Sequence, residues 1–115
     1  MYFKQRPSLL LVDDDKTYRY ILNRTFVKCG FVVIIAPNVH SAISIAEANP
    51  PEYAVIDLKK PNITGPALAS QLKALHAATH VVMLTEYASI TSAIRAITAH
   101  YRATKGSNLV TSHFI

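Results

Sequence analysis

Short apolar runs, each closed by polar or acidic residues and each followed by a segment of helical periodicity, recur along this chain and limit the folds open to it. Ser8 to Val12 is one such run and ends in Asp13, Asp14 and Asp15. Unbroken apolar runs rich in Val, Ile and Leu belong to strands covered on both faces, and such strands occur in parallel sheets. From Lys16 to Cys29, apolar residues recur at Tyr18, Ile21, Leu22, Phe26 and Cys29, the spacing of one helix face, and Gly30 supplies the stop. Phe31 to Ala36 reads as a second strand. Asn38 is placed to cap a helix carrying Val39, Ala42, Ile43, Ile45 and Ala46, which ends before Pro50 and Pro51.

Tyr53 to Ile56 is a third strand, again closed by an acid, Asp57. Lys59 to Gly65 reads as a loop from its Pro, Asn and Gly content, and a helix is expected from about Pro66 to His76. His80 to Leu84 is a fourth strand closing on Thr85, and a fourth helix is expected from Ser89 to Ala99 with Ile90, Ala93, Ile94 and Ile97 on one face. This strand–helix alternation implies an α/β architecture, a parallel sheet with helices on both faces, in one domain spanning residues 1–115. Beyond His100 the pattern weakens. Tyr101 to Ser107 is too polar for a good central strand, and Asn108 to Ile115 is too short for a good helix.

Composition narrows the function classes. The net charge is +5, yet the basic residues are scattered from Lys4 to Lys105, which fits a mixed solvated surface better than a nucleic-acid groove. No apolar run is long enough to cross a bilayer, and the short run near the start leads straight into three aspartates, the wrong ending for a signal peptide. The single Cys29 excludes an internal disulfide and reads as a small packing residue, so a cytoplasmic protein is expected. The acids are more telling. There are 7, four of them being Asp13, Asp14, Asp15 and Asp57, and none follows Glu86.

In an open parallel sheet, ligands bind beyond the carboxyl ends of the strands, near the point where strand order reverses. Strands one, three and four would bring Asp13, Asp14, Asp57 and Thr85 to that edge. Carboxylates gathered there repel, so raised pKa values or a bound cation are expected, and an oxygen-rich site with few ligands suits Mg2+. Thr85 can donate to a phosphoryl oxygen and a lysine can neutralise it. Singly, each residue has a plainer use: aspartates after strands cap helices, as Asp15 is placed to do, and lysines in loops are solvated charges. The joint arrival is what argues for a site.

LLLVDDDKTYR resembles the first strand and acidic pair of response-regulator receiver domains. YAVIDLKKPNITG resembles that family's phosphoacceptor segment, with Pro four and Gly eight positions after the aspartate, and VVMLTEYAS resembles its hydroxyl-bearing segment. The resemblance covers residues 8–98, and the stretch from Tyr53 to Ile97 is closest to redox-responsive regulators of the RegA/ActR type. It implies a flavodoxin-like, CheY-like doubly wound sheet. Asp57 would then be the phosphoacceptor, Asp14 a direct metal ligand, Asp13 a ligand through the metal's shell, and the main-chain carbonyl of Lys59 a further ligand. Thr85 would bind the transferred phosphoryl group, with the side chains of Lys59 and Tyr87 flanking it. The implied partners are a sensor histidine kinase and a second copy docked through the fourth-helix face, with no membrane contact. DNA would be reached only through a separate effector domain that this chain does not contain.

The departures lie at the C-terminal end. The family's conserved lysine closes a fifth strand and precedes proline; here the candidate is Lys105, followed by Gly106, with Arg102 beside Tyr101 where an aromatic switch residue is expected. The (βα)4 unit thus lacks a clean fifth strand and last helix. A truncation, a frameshift and a divergent short receiver all account for this. A pseudo-receiver serving as a binding or dimerisation module, with no phosphoryl chemistry, is the second reading. The third is a haloacid-dehalogenase-type phosphatase, since LLLVDDDKT matches that first motif with Asp13 as nucleophile, Asp15 as acid/base and Thr17 following, and Thr85 and Lys105 as its later motifs. That fold needs a late acidic pair, and Asp57 would have no part in it.

Overall fold

The computed structural model describes residues 6–59, 61–84 and 90–105, with the side chains at 61–63, 90, 104 and 105 outside the description. The chain alternates β1 (Ser8–Asp13), α1 (Lys16–Lys28), β2 (Val32–Ala36), α2 (Val39–Ala48), β3 (Tyr53–Asp57), α3 (Pro61–Leu75), β4 (His80–Met83) and α4 (Ile90–Lys105). The four strands form one parallel sheet in the order β2-β1-β3-β4. The parallel sheet is the one the strand–helix alternation predicts, and its order is the flavodoxin-like one that the receiver resemblance implies.

The apolar runs become strands because both faces are buried. Leu9 and Leu11 point to one apolar layer, with Leu22 and Phe26 of α1 and Ala93, Ile94, Ile97 and Tyr101 of α4. Leu10 and Val12 point to the other, with Ala42 and Ala46 of α2 and Leu68 and Leu72 of α3. The helices thus lie two on each face. The connection from β1 leads outward to β2 over one face, and that from β3 leads outward to β4 over the other, so strand order reverses between β1 and β3. A crevice at the carboxyl ends of these two strands follows from that reversal.

Local signals act as the sequence suggests. Asp15 caps α1 by accepting from the N–H of Tyr18 at 3.0 Å. Asn38 caps α2 in a reciprocal box with Ser41, whose N–H it accepts at 2.8 Å. At the end of α1, Gly30 takes φ 99°, and the Phe31 N–H returns to the Phe26 carbonyl at 3.2 Å.

Two boundaries differ from expectation. α3 begins at Pro61 rather than near Pro66, so most of the expected loop is helical and Pro66 sits inside the helix. Pro61 has its φ already set for a first helical turn, whereas Pro66 removes one bond in the ladder without ending the helix. α4 runs on to Lys105, so the segment from Tyr101 read as a weak strand is helical. The reason is packing: Ala93, Ile94, Ile97 and Tyr101 form one buried stripe, and Tyr101, at 1% exposure, extends it by a turn.

Candidate functional site

Packing fixes the acids before any chemistry is considered. Leu9 to Val12 are buried, and the ladder between β1 and β3 pairs Leu9 with Tyr53 through to Asp13 with Asp57. The last rung therefore sets two carboxylates side by side where strand order reverses. A slip of one residue would turn every apolar side chain of the strand to the opposite face, so the register that buries the core also fixes this pair.

Asp13 is 1% exposed. Its Oδ1 accepts the N–H of Asp15 at 2.8 Å, while its Oδ2 is buried without a hydrogen-bond partner among the described residues. The register sets the Asp13 carboxyl beside that of Asp57. Burial, then the charge and hydrogen bond of Asp13, then Asp14 and Asp15, push the Asp57 carboxyl up to about 6. Burial also raises Asp13, against the opposing hydrogen bond from the Asp15 backbone. Two neighbouring acids that resist simultaneous ionisation form one coupled site.

Asp14, on the exposed turn, reaches across to β3. Its two carboxylate oxygens accept the N–H of Lys59 at 3.1 and 3.2 Å, tying the end of β1 to the segment after β3. The Lys59 main chain, expected to offer its carbonyl, thus stands beside Asp14 and engages it through the N–H. Arg19 is a residue that motif reading missed: from the first turns of α1 its Nη1 donates to the Asp13 carbonyl at 2.9 Å. With a main-chain carbonyl as its partner, no signal in residue type marks it in the sequence.

Whether these groups suit a metal turns on their donor set. An orphaned buried carboxylate oxygen beside a second acid of raised pKa is a group that a hard cation would satisfy, and oxygen donors fit Mg2+ or Ca2+. Among the described residues no three metal-ligating side chains stand together as a cluster, and Asp14 is engaged with the Lys59 N–H. Asp13 and Asp57 therefore fit the ion as they stand, and Asp14 fits it only by exchanging its bond to Lys59.

Thr85, Tyr87 and Lys60 lie outside the described residues. Lys105 is the last residue of α4, and only its backbone is described. Five residues earlier, His100 packs on Tyr53 and His80, which begin β3 and β4. α4 thus carries the Lys105 backbone to the rim opposite Asp57. Among the described residues no helix is long and apolar enough to cross a membrane.

Comparison with known proteins agrees with this geometry. The family model for the response regulator receiver domain matches residues 9–104. The photosynthetic apparatus regulatory protein RegA of Rhodovulum sulfidophilum is 38% identical over 91 residues, 79% of this chain and 50% of that protein. The acid tolerance regulatory protein ActR of Rhizobium meliloti is 36% identical over 90 residues, 78% of this chain and 46% of that protein. The chain thus spans about half the length of these relatives. Among solved structures, a Burkholderia pseudomallei response regulator with a phosphorylated aspartic acid, calcium ion and citrate superposes with a TM-score of 0.63 at 30% identity, covering 80% of this chain and 54% of that one. The chemotaxis regulator CheY4 of Vibrio cholerae, at 16% identity, shares the fold with a TM-score of 0.68, covering 82% of this chain and 98% of that one. With its acid pair at the strand-order reversal and the family match spanning nearly every described element, the chain belongs to the response regulator receiver domain family, the signalling module of two-component systems.

Proposed function

We propose that Asp57 accepts a phosphoryl group from a phosphohistidine of a sensor histidine kinase in a Mg2+-dependent reaction, and that the domain changes conformation as a result. The carrying observation is the rung that pairs Asp13 with Asp57, with Asp57 raised to about 6 by burial and its acidic neighbours. Phosphoryl transfer asks little of a protein beyond an in-line nucleophile and cations on the phosphoryl oxygens. A divalent ion would supply charge neutralisation for the acids and the incoming group. Asp13 and Asp57 would hold it, joined by Asp14 and the main-chain carbonyl of Lys59. Asp57 must be ionised to attack, so acid below its pKa opposes the reaction.

Thr85 would receive the phosphoryl group by a hydrogen bond and couple its arrival to the segment that precedes α4. Lys59 and Tyr87 would flank it. Lys105 can join them only if the end of α4 leaves its helical position. We place the domain in the cytoplasm, any self-association on the exposed face of α4, and any DNA contact in a separate effector domain.

A second reading is supported by the C-terminal geometry. Four strands form the sheet among the described residues and the Lys105 backbone lies at the far rim, which would suit a pseudo-receiver working as a binding module. The test is incubation with MgCl2 and acetyl phosphate followed by intact mass. A gain of one phosphoryl group that disappears in Asp57→Asn and in EDTA supports the phosphoacceptor. No gain in the unaltered chain overturns it in favour of the module. Phosphorylation of Asp13 instead would favour the phosphatase reading.

A further inference from the structure

At the rim opposite the acid pair, aromatic and imidazole rings join β3, β4 and α4. The rings of His80, which opens β4, and His100, on α4, are stacked with centroids 4.0 Å apart and planes at 16°. Tyr53, which opens β3, meets both edge-on, at 6.0 Å to His80 and 5.6 Å to His100. Its hydroxyl lies 3.2 Å from His100 Nδ1. Phe31 continues the series at 5.9 Å from Tyr53. Near-parallel rings point their nitrogens side by side rather than at a common point, so the pair is not built as a metal site.

We propose that this stacked pair gives the domain a second input, a proton-operated latch between β4 and α4 that acts independently of phosphorylation at Asp57. With both imidazoles neutral, the rings stack and the Tyr53 hydroxyl shares a hydrogen bond with His100 Nδ1, in the direction the tautomer sets. A first proton leaves an imidazolium over a neutral ring, which still stacks. A second sets two like charges 4.0 Å apart in a part-buried site, and the contact opens.

The surroundings reinforce this direction. Burial, His100 and then Lys73 of α3 lower the His80 pKa, so the folded contact favours the neutral ring. Lys73 is held at this rim by bonds from its Nζ to the Thr79 and Ala77 carbonyls at 2.7 and 2.9 Å. Tyr53 is pushed up to about 12 by burial, Glu52 and Tyr101, so its hydroxyl keeps its proton throughout. Glu52, next to Tyr53, places a carboxylate at this rim. His76, at the end of α3, is engaged with Thr79 at 3.0 Å. Because Ile97 and Tyr101 flank His100 on α4 and lie in the core, opening the latch frees the last turns of a helix that covers one face of the sheet.

The experiment uses the full chain carrying Asp57→Asn, which removes the titration of the phosphoacceptor. Amide hydrogen exchange over residues 97–101, corrected for intrinsic rates, is compared at pH 7.5 and 4.5 with and without His100→Phe, which keeps a stacked aromatic ring that cannot be charged. The expected result is a loss of protection of at least tenfold in the parent and less than twofold in His100→Phe. Equal protection at both pH values in the parent, or an equal loss in both proteins, overturns the proposal. Should the Phe variant fail to fold, imidazole NMR titration of the parent decides. Two steps separated by at least one pH unit for His80 and His100 support the latch. A single step for both at the ordinary imidazole position refutes it.

Discussion

Replacing Asp57 by Asn should stabilise the metal-free protein at neutral pH, although it removes the proposed phosphoacceptor. Asp57 rises from 3.8 to about 6 on folding, because burial and the charges of Asp13, Asp14 and Asp15 oppose its ionisation. A folded pKa above the unfolded one means that stability is fully present below 3.8 and is lost as pH rises through about 6. A shift of about two units corresponds to about 3 kcal/mol at ~1.4 kcal/mol per unit. Asp57 is only part-buried and solvent screens its neighbours, so about 1–2 kcal/mol is the appropriate expectation. Asparagine carries no charge at any pH. At pH 7.5 in EDTA, Asp57→Asn should therefore be more stable by that amount, raising Tm by about 4–8 °C.

The gain should fall to about a third of that value by pH 4.5, where the unfolded chain's Asp57 is still mostly ionised, and vanish only below 3.8. The histidines are common to both proteins and cancel in the difference. Urea melts of both proteins at the two pH values, with fixed slope, provide the measurement. An asparagine amide that hydrogen-bonds Asp13 would add a pH-independent gain, so the pH-dependent part is decisive. A difference that is absent at pH 7.5, or equal at both pH values, would refute the electrostatic account of the acid pair. Adding Mg2+ at pH 7.5 should close the gap by stabilising wild type more than the variant.

Three further outcomes follow from the same geometry. Asp14→Ala removes the acceptor for the Lys59 N–H, so amide exchange at Lys59 should rise and the Mg2+ needed for half-maximal phosphorylation by acetyl phosphate should increase at least tenfold; unchanged values would place Asp14 outside the site. Tyr101→Ala should cost about 3 kcal/mol in urea melts, whereas Ala103→Asp should stay within about 0.5 kcal/mol, because a helix buries the first and exposes the second. A strand there would penalise both. Lys105→Gln should leave the phosphorylation rate within twofold, since α4 carries that backbone to the rim opposite Asp57, and a tenfold loss would mean that the segment reaches the site.

The central fold was legible because burial on both faces leaves a plain mark on a sequence. LLLV and YAVI cannot be satisfied on a surface, and the intervening helical stripes say what covers them. The Asp13–Asp57 pairing could be anticipated for the same reason, since the register that buries both runs brings their terminal acids together at the carboxyl ends of the strands. Prolines misled at α3: Pro66 reads as a helix start, yet packing of Leu68 and Leu72 sustains a helix through it. Polarity misled at α4, where His100, Arg102 and Lys105 mask a core stripe that Tyr101 completes. Arg19 and the Lys59 N–H were invisible, because a main-chain carbonyl or amide as hydrogen-bond partner leaves no trace in residue type.

These contrasts point to a division of labour within the sheet. Asp13 and Asp57 end the two central strands, whose side chains are buried on both faces, so loosening an outer element does little to their separation. β4 lies at the border of the described sheet, and its Met83 is 38% exposed. α4 is held there by one apolar stripe and by the His80–His100 contact. Local opening free energies follow buried contacts, so α4 should open well before the β1–β3 ladder does. A domain built this way can keep the geometry of its acid pair while α4 moves. Amide exchange should show that order directly: protection in β1 and β3 should reach the global unfolding limit, while residues 97–105 exchange by a lower-energy opening. Equal protection in both regions would mean that α4 and the acid pair form a single cooperative unit.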